Sequence, residues 1–143
     1  MARALEMARV AALAGEVPVG AGLVRQGRLL AEGFNHTVTH SDPTAHAEVV
    51  AHRAGAARLG DWRLTDCTLY VTLEPCAQCC GSLVLARVPR VVYGAFDPKA
   101  GMAGSLGNLL QDARLNHRAE ITRGVLADEC GQLLRTFFRS RRS

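Results

Sequence analysis

Two short segments carry the residues best suited to bind a metal. One contains His46, and the other contains Cys76 and Cys79, three positions apart. Imidazole and thiolate groups are ligands that zinc prefers. Two cysteines at i and i+3 in the first turn of a helix bring both sulfurs to one side, and the helix N-terminus favours the thiolate form. The sequence therefore predicts a zinc ion held by His46, Cys76 and Cys79.

A zinc ion with three protein ligands keeps one coordination position for water, which is typical of catalytic rather than structural sites. Cys80 lies at i+4 from Cys76 and could replace Cys79 or fill the fourth position. We favour Cys79 as the ligand and interpret Cys80 as a small buried residue, as free cysteine usually is. The remaining histidines show no ligand-like spacing: His36, His40, His52 and His117.

Glu48 is the candidate proton carrier. A glutamate on a helix is usually a solvated surface residue, but Glu48 lies two positions from His46 at a predicted helix start. Side chains in a first turn lean toward the N-terminal end, so both residues can reach the same metal. A carboxylate there can take a proton from the water and return it to a substrate.

The composition is that of a globular domain. The chain has 143 residues, 48% hydrophobic and 21% charged, so we expect one domain over residues 1–143. No apolar run approaches the ~20 residues of a membrane span. Five cysteines, three of them within five positions, fit a metal or catalytic cluster better than a secreted disulfide framework. We expect a cytoplasmic location.

The excess positive charge lies near the C-terminus. Residues 114–143 contain seven arginines and three acidic residues, which accounts for the whole net charge of +4. A local basic patch suits a polyanion such as nucleic acid. The alternative is a solvated basic helix with no such partner.

The hydrophobic patterns predict strands that alternate with helices. Such an order indicates an α/β sandwich with a mostly parallel sheet and an antiparallel edge hairpin around Gln26 and Gly27. Ligands of such sheets bind at the carboxyl ends of the strands. We predict helices over 2–14, 46–59, 76–87 and 125–141, and strands over 19–25, 28–34, 68–72, 90–94 and 120–124.

The predicted last helix has two different faces. Leu126, Cys130, Leu133 and Phe137 form an apolar stripe that we expect to face the core. On roughly the opposite side, basic residues border one aromatic side chain: Arg135, Arg139, Arg142 and Phe138.

The H-x-E and P-C-x-x-C segments resemble those of the zinc nucleoside and nucleobase deaminases. Within that superfamily, nearly the full chain resembles the bacterial tRNA-specific adenosine deaminases. The resemblance implies a three-layer α/β/α fold with a mixed sheet of about five strands. It also implies one zinc ion per subunit, a homodimer, and conversion of the wobble adenosine of a tRNA anticodon loop to inosine. The matching segments are 16–21, Asn35, 42–44, 68–79, 94–95 with Asp97, 104–106, 116–118, 126–130 and 137–139.

The resemblance also implies roles for individual residues. His46, Cys76 and Cys79 would bind zinc, and Glu48 would carry protons. Asn35 would hydrogen-bond the target base, in a pocket lined by the backbone at Val19 and Ala47. Asp97 and Lys99 would contact the flanking RNA. Independently of the resemblance, arginine beside an exposed aromatic residue suits single-stranded RNA, so we expect RNA contacts from the last helix at Phe138, Arg139 and Arg142. A solvated helix end, with Phe138 in a subunit contact, is the alternative for this helix.

Three features depart from the family pattern: Phe96, Cys80 and the segment 111–115. They bear on RNA contacts rather than on the chemistry. Two other functions remain open at this point. One is deamination of a free base or nucleoside such as guanine or cytosine, and the other is a non-catalytic RNA-binding subunit with a structural zinc ion.

Overall fold

The computed structural model describes residues 1–142. Four α-helices are present in this part of the chain: α1 (Ala2–Leu13), α2 (Ala47–Leu59), α3 (Ala77–Leu85) and α4 (Ala127–Arg142). The five strands are β1 (Gly20–Arg25), β2 (Arg28–Phe34), β3 (Cys67–Leu73), β4 (Arg90–Ala95) and β5 (Glu120–Thr122). Within the described range, no helix combines the length and apolarity needed to cross a lipid bilayer.

The strands form one mixed sheet in the order β2-β1-β3-β4-β5. The predicted edge hairpin is present, and both of its turn residues, Gln26 and Gly27, have positive φ angles, as a type I′ turn requires. However, the expectation of a mostly parallel sheet was wrong in detail. β1 runs antiparallel to β3 as well as to β2, so only the β3–β4 and β4–β5 pairs are parallel.

The helices cover both faces of the sheet. Two glycines show how closely they pack on one face, because a Cβ at Gly20 would overlap α1 and a Cβ at Gly94 would lie 2.5 Å from Cys130 Sγ on α4. On the other face, Leu23 of β1 packs against Gly55 of α2, and Leu83 of α3 joins the same core. The predicted three-layer α/β/α arrangement is therefore confirmed.

The start of α4 differs from the prediction. Gly124 and Leu126 both adopt positive φ angles, so the chain turns before the helix begins at Ala127. Leu126 consequently lies outside the helix and is 42% exposed, while Leu134 packs against the core in its place. A short 3₁₀ helix at Leu109–Gln111 was not predicted.

The register brings several loops to one edge of the sheet. Phe34 pairs with Gly20, Ala21 pairs with Val71, and Leu73 pairs with Ala95. The C-terminal ends of β2, β3 and β4 therefore meet the N-terminal end of β1. The segments that follow or precede these ends hold the predicted site residues: 19, 35, 46–48, 74–79 and 97–99.

Candidate active site

Three potential metal ligands meet where α2 and α3 begin. His46 is the N-cap residue of α2 and Cys76 is the N-cap residue of α3, with Cys79 one turn further along α3. His46 Nδ1 lies 3.5 Å from Cys76 Sγ and 3.4 Å from Cys79 Sγ. All three ligand atoms lie within 4.8 Å of one another, so the structure brings together the predicted set.

The spacing of these atoms fits zinc. With Zn–N near 2.0 Å and Zn–S near 2.3 Å, tetrahedral geometry separates ligand nitrogen and sulfur by about 3.5 Å. The observed separations of 3.4 and 3.5 Å are close to that value. Among residues 1–142, no fourth histidine, cysteine or carboxylate joins this cluster. The donor set is therefore that of an open, catalytic type of site.

One of the three groups favours its deprotonated, metal-binding form. Hydrogen bonds from Cys79 and His46 hold the pKa of Cys76 at about 4, so its thiolate form is stable. The same hydrogen bond, together with burial, raises the pKa of Cys79. The pKa of His46 is raised mainly by its contact with Cys76. The position of Cys76 at the N-terminus of α3 also stabilises a negative charge on its sulfur.

Cys80 lies outside the cluster. It is fully buried in the hydrophobic core, and its thiol points toward the carbonyl groups of Pro75, 3.6 Å away, and Met102, 3.5 Å away. Burial raises the pKa of this thiol, which keeps it protonated. This placement agrees with its interpretation as a small buried residue.

Glu48 faces the three potential metal ligands rather than the solvent. It is 4% exposed, and it lines the same cavity as His46 and Cys76. Burial raises the pKa of Glu48 to about 6, against the opposing effects of its own helix amide and the His46 charge. A buried carboxyl group beside an open metal position can exchange protons with bound water and substrate.

A cavity of about 300 Å³ opens beside the cluster and is lined by His46, Glu48, Cys76 and Asn35. Asn35 Oδ1 accepts a hydrogen bond from the Ala47 amide at 2.9 Å, and its Nδ2 donates one to the Val17 carbonyl at 3.2 Å. A side-chain amide has two donor hydrogens and two acceptor lone pairs. Asn35 therefore keeps one donor and one acceptor for a ligand while its orientation is fixed.

The two predicted backbone positions differ in their relation to the cavity. Val19 lines the cavity, and its carbonyl accepts a hydrogen bond from the backbone amide of Asn35. Ala47 is fully buried, and its amide is already used by the Asn35 side chain. Ala47 thus supports the wall of the cavity through Asn35.

Two buried carboxylates beside the cavity were missed by the sequence analysis. Glu16 is 1% exposed and accepts hydrogen bonds from the Val38 amide at 3.1 Å and from the amide and hydroxyl of Thr39. Burial raises the pKa of Glu16, but these hydrogen bonds outweigh it, and its pKa lies below the usual value. Glu16 therefore anchors the loop between β2 and α2.

Glu74 anchors a second loop in the same way. It is 2% exposed and accepts hydrogen bonds from the amides of Asp97, Ala103 and Ser105. Burial opposes ionisation, but the hydrogen bonds from Ser105 and the backbone lower the pKa of Glu74. A Cβ at Gly101 would overlap this carboxylate, so the loop lies directly over it.

A groove continues from the cavity toward α4. The two share Val17, Leu73, Asp97 and Ala100 as lining residues. The groove collects four predicted RNA-contact residues, namely Asp97, Lys99, Phe138 and Arg142. Arg139 is exposed and lies outside its lining, which Arg141 joins instead. Phe96 also lines the groove.

The family comparison agrees with this chemistry. The family model for the cytidine and deoxycytidylate deaminase zinc-binding region matches residues 1–95. That range contains His46, Glu48, Cys76 and Cys79.

The similarity to curated proteins is more specific. A tRNA-specific adenosine deaminase of Bacillus subtilis (strain 168) is 50% identical over 142 residues, covering 99% of this chain and 88% of the relative. A tRNA-specific adenosine deaminase of Haemophilus influenzae is also 50% identical, covering 99% of this chain and 83% of the relative. The chain belongs to the tRNA-specific adenosine deaminases.

Solved structures share the fold of this deaminase. One, from a study of A-to-I editing by tRNA:A34 deaminases at the wobble position of transfer RNA, is 40% identical with a TM-score of 0.89. The match covers 92% of this chain and 95% of the chain in that structure. A guanine deaminase from Nitrosomonas europaea is 27% identical with a TM-score of 0.81, covering 95% of this chain and 81% of that one.

Proposed function

We propose that this protein converts the wobble adenosine of a tRNA anticodon loop to inosine by hydrolytic deamination, with release of ammonia. The observation that carries the proposal is the burial of Glu48 against the open cluster of His46, Cys76 and Cys79, beside a cavity. Membership of the tRNA-specific adenosine deaminases supports adenosine in tRNA as the substrate.

His46, Cys76 and Cys79 would hold one zinc ion per chain. When bound, zinc acts as a Lewis acid that lowers the pKa of water and so supplies a nucleophile near neutral pH. A fourth coordination position would stay available for that water, because no other ligand group of residues 1–142 joins the three.

Glu48 would carry protons through the whole reaction. It accepts a proton from the attacking water and delivers it to ring nitrogen N1 of adenine, while the water oxygen bonds to C6. Glu48 then takes the proton of the new C6 hydroxyl group and delivers it to the exocyclic amino group, which leaves as ammonia when the C6–N bond breaks and the C6 carbonyl of inosine forms. Adenosine and one water thereby give inosine and one ammonia.

Asn35 would orient the target base. It lines the cavity with one donor and one acceptor unused, and its hydrogen bonds to Val17 and Ala47 fix its orientation. The base must leave its stack to enter. An anticodon loop is already partly unstacked, so extrusion costs less than in a duplex, where it takes a few kcal/mol.

The decisive experiment supplies RNA and free compounds side by side. Zinc-loaded protein should convert an anticodon stem-loop with a wobble adenosine, with a mass gain of about one unit per molecule. A stem-loop with guanosine at that position is the matched control and should not change. Because a free-base deaminase shares the fold, guanine and cytidine are assayed too. Turnover of a free compound without turnover of the stem-loop would contradict the proposal.

We propose that residues 1–143 form a single catalytic domain. All five described strands belong to one sheet, and the relatives match along 99% of the chain. We also propose that the enzyme works in the cytoplasm, where tRNA is found. Its five cysteines are free, which agrees with a reducing compartment.

We propose that two copies form a homodimer. Trp62 is 59% exposed and Leu85 is 70% exposed, and both line one shallow groove on the surface of α2 and α3. Large apolar side chains grouped in this way are typical of an interface. Light scattering should give twice the mass of one chain, and a Leu85→Asp variant should shift toward the monomer.

A further inference from the structure

Phe96 is an exposed aromatic residue next to the active-site cavity. It follows β4, is 54% exposed, and lines the groove together with Phe138. Its ring makes a T-shaped contact with the ring of Tyr93, with centroids 5.5 Å apart and the planes at 87°. Tyr93 is fully buried and its hydroxyl donates a hydrogen bond to the Ala103 carbonyl. The Phe96 ring is therefore held in place while more than half of it faces solvent.

The surroundings of Phe96 carry positive charge. Lys99, Arg141 and Arg142 line the same groove, and Asp97 is its one acidic residue within the described range. The Asp97 carboxylate already accepts hydrogen bonds from the Lys99 and Ala100 amides, each at 3.1 Å. An aromatic face among cations is the combination that binds unpaired nucleotides, because bases stack on the ring and phosphates pair with the charges.

The groove is continuous with the cavity proposed to take the target base, and four residues line both. We propose that Phe96 stacks on the base of a nucleotide adjacent to the target adenosine, and that the groove is a binding site for this neighbour. The occupant is a single-stranded RNA nucleotide of the same substrate molecule. This inference rests on the proposed function, since it takes the cavity as the site of the target base.

A direct binding experiment tests this contact without requiring turnover. The affinity of zinc-loaded protein for a labelled anticodon stem-loop is measured by fluorescence anisotropy for the wild type and Phe96→Ala. Stacking of one base on an aromatic side chain predicts that affinity falls about tenfold. Phe96→Trp should restore it to within about threefold, whereas Phe96→Leu should restore little. Leu13→Ala, a change at a side chain that is 90% exposed on α1, is the control and should have no effect.

Removal of the base itself identifies the stacked neighbour. Stem-loops with an abasic nucleotide on the 5′ or the 3′ side of the target are compared in both proteins. At the position whose base stacks on Phe96, removal of the base should weaken wild-type binding about tenfold. It should weaken Phe96→Ala binding by less than about twofold, because this variant has already lost the stacking contact. If loss of the base at either position weakens binding by the same factor in Phe96→Ala as in the wild type, the proposal is overturned.

The outcomes separate the two proposals. If the wild type binds the stem-loop with the Phe96 dependence described but forms no inosine, the proposed function fails and the stacking contact stands. If inosine forms and Phe96→Ala binds RNA as tightly as the wild type, the stacking contact fails alone. If Phe96→Ala changes only the oligomeric state, the residue belongs to a contact between protein chains and the proposal is overturned.

Discussion

Glu16 accepts two hydrogen bonds from Thr39, one from the amide and one from the hydroxyl, both at 2.6 Å. A third comes from the Val38 amide. The residue lies just beyond α1, while its partners lie 22 and 23 positions later in the loop that connects Asn35 to His46. A single buried carboxylate thus fixes the path of the chain between the predicted base-binding residue and the first metal ligand.

Replacement of Glu16 by glutamine should lower the free energy of unfolding by about 1–3 kcal/mol at pH 7, because an amide cannot accept all three hydrogen bonds. The folded-state pKa of Glu16 lies below its usual value of 4.5. The carboxylate therefore contributes its full stabilisation above about pH 4.5, and this contribution is lost as the pH falls through the folded-state pKa.

Urea unfolding of the two proteins between pH 3 and pH 7 checks this dependence. The measured quantity is the difference in free energy of unfolding between the wild type and Glu16→Gln, because metal loss in acid affects both proteins. Glu6→Gln, at an exposed residue of α1, is the matched control. A difference that stays constant down to pH 3 would show that the Glu16 charge does not hold the loop.

Replacement of Glu48 by glutamine should leave zinc bound and remove turnover. The amide has the size of the carboxylate but cannot accept and deliver a proton, so the rate should fall by about 10²–10⁴-fold. Elemental analysis checks that zinc stays bound, and mass spectrometry of the RNA checks that inosine formation is lost. Glu120→Gln, at an exposed residue of β5, should keep wild-type values. Retained activity in Glu48→Gln would exclude Glu48 as the proton carrier.

Two neighbouring cysteines should respond differently to substitution. Cys79→Ser should lose zinc and activity together, because it removes a ligand from the cluster with His46. Cys80→Ala should keep one zinc ion per chain and lose about 1 kcal/mol of stability through a small cavity in the core. Zinc analysis and thermal unfolding of the purified proteins measure these effects. Zinc loss in Cys80→Ala with zinc retained in Cys79→Ser would reverse the ligand assignment.

The metal site could be predicted because its chemistry is local in the sequence. Cys76 and Cys79 lie in one helical turn, and His46 and Glu48 lie at one helix start. Residue type and spacing are then enough to indicate the ligand set. Alternating strands and helices also predicted an α/β sheet with an antiparallel edge hairpin. They did not predict the antiparallel β1–β3 pair, because nothing local specifies the direction of a distant neighbour.

Features that depend on distant contacts escaped prediction. Glu16 and Glu74 are separated by more than twenty residues from the loop amides they bind, so no periodic pattern marks them as buried. At α4, the positive φ angles of Gly124 and Leu126 delay the helix start to Ala127. Spacing along that helix grouped Arg139 with Arg142, whereas packing places Arg141 beside Arg142 in the groove.

The two arginines that spacing grouped together should therefore contribute unequally to RNA binding. Arg142 lines the groove next to Lys99 and Phe138, and Arg139 is exposed outside its lining. A lost phosphate contact reduces the slope of log affinity against log salt by about 0.7 for single-stranded nucleic acid. We expect this change, with weaker stem-loop binding, for Arg142→Ala. Arg139→Ala, the matched control on the same helix, should keep the wild-type slope. Equal slopes for both variants, measured from 50 to 200 mM salt, would place the RNA away from this groove.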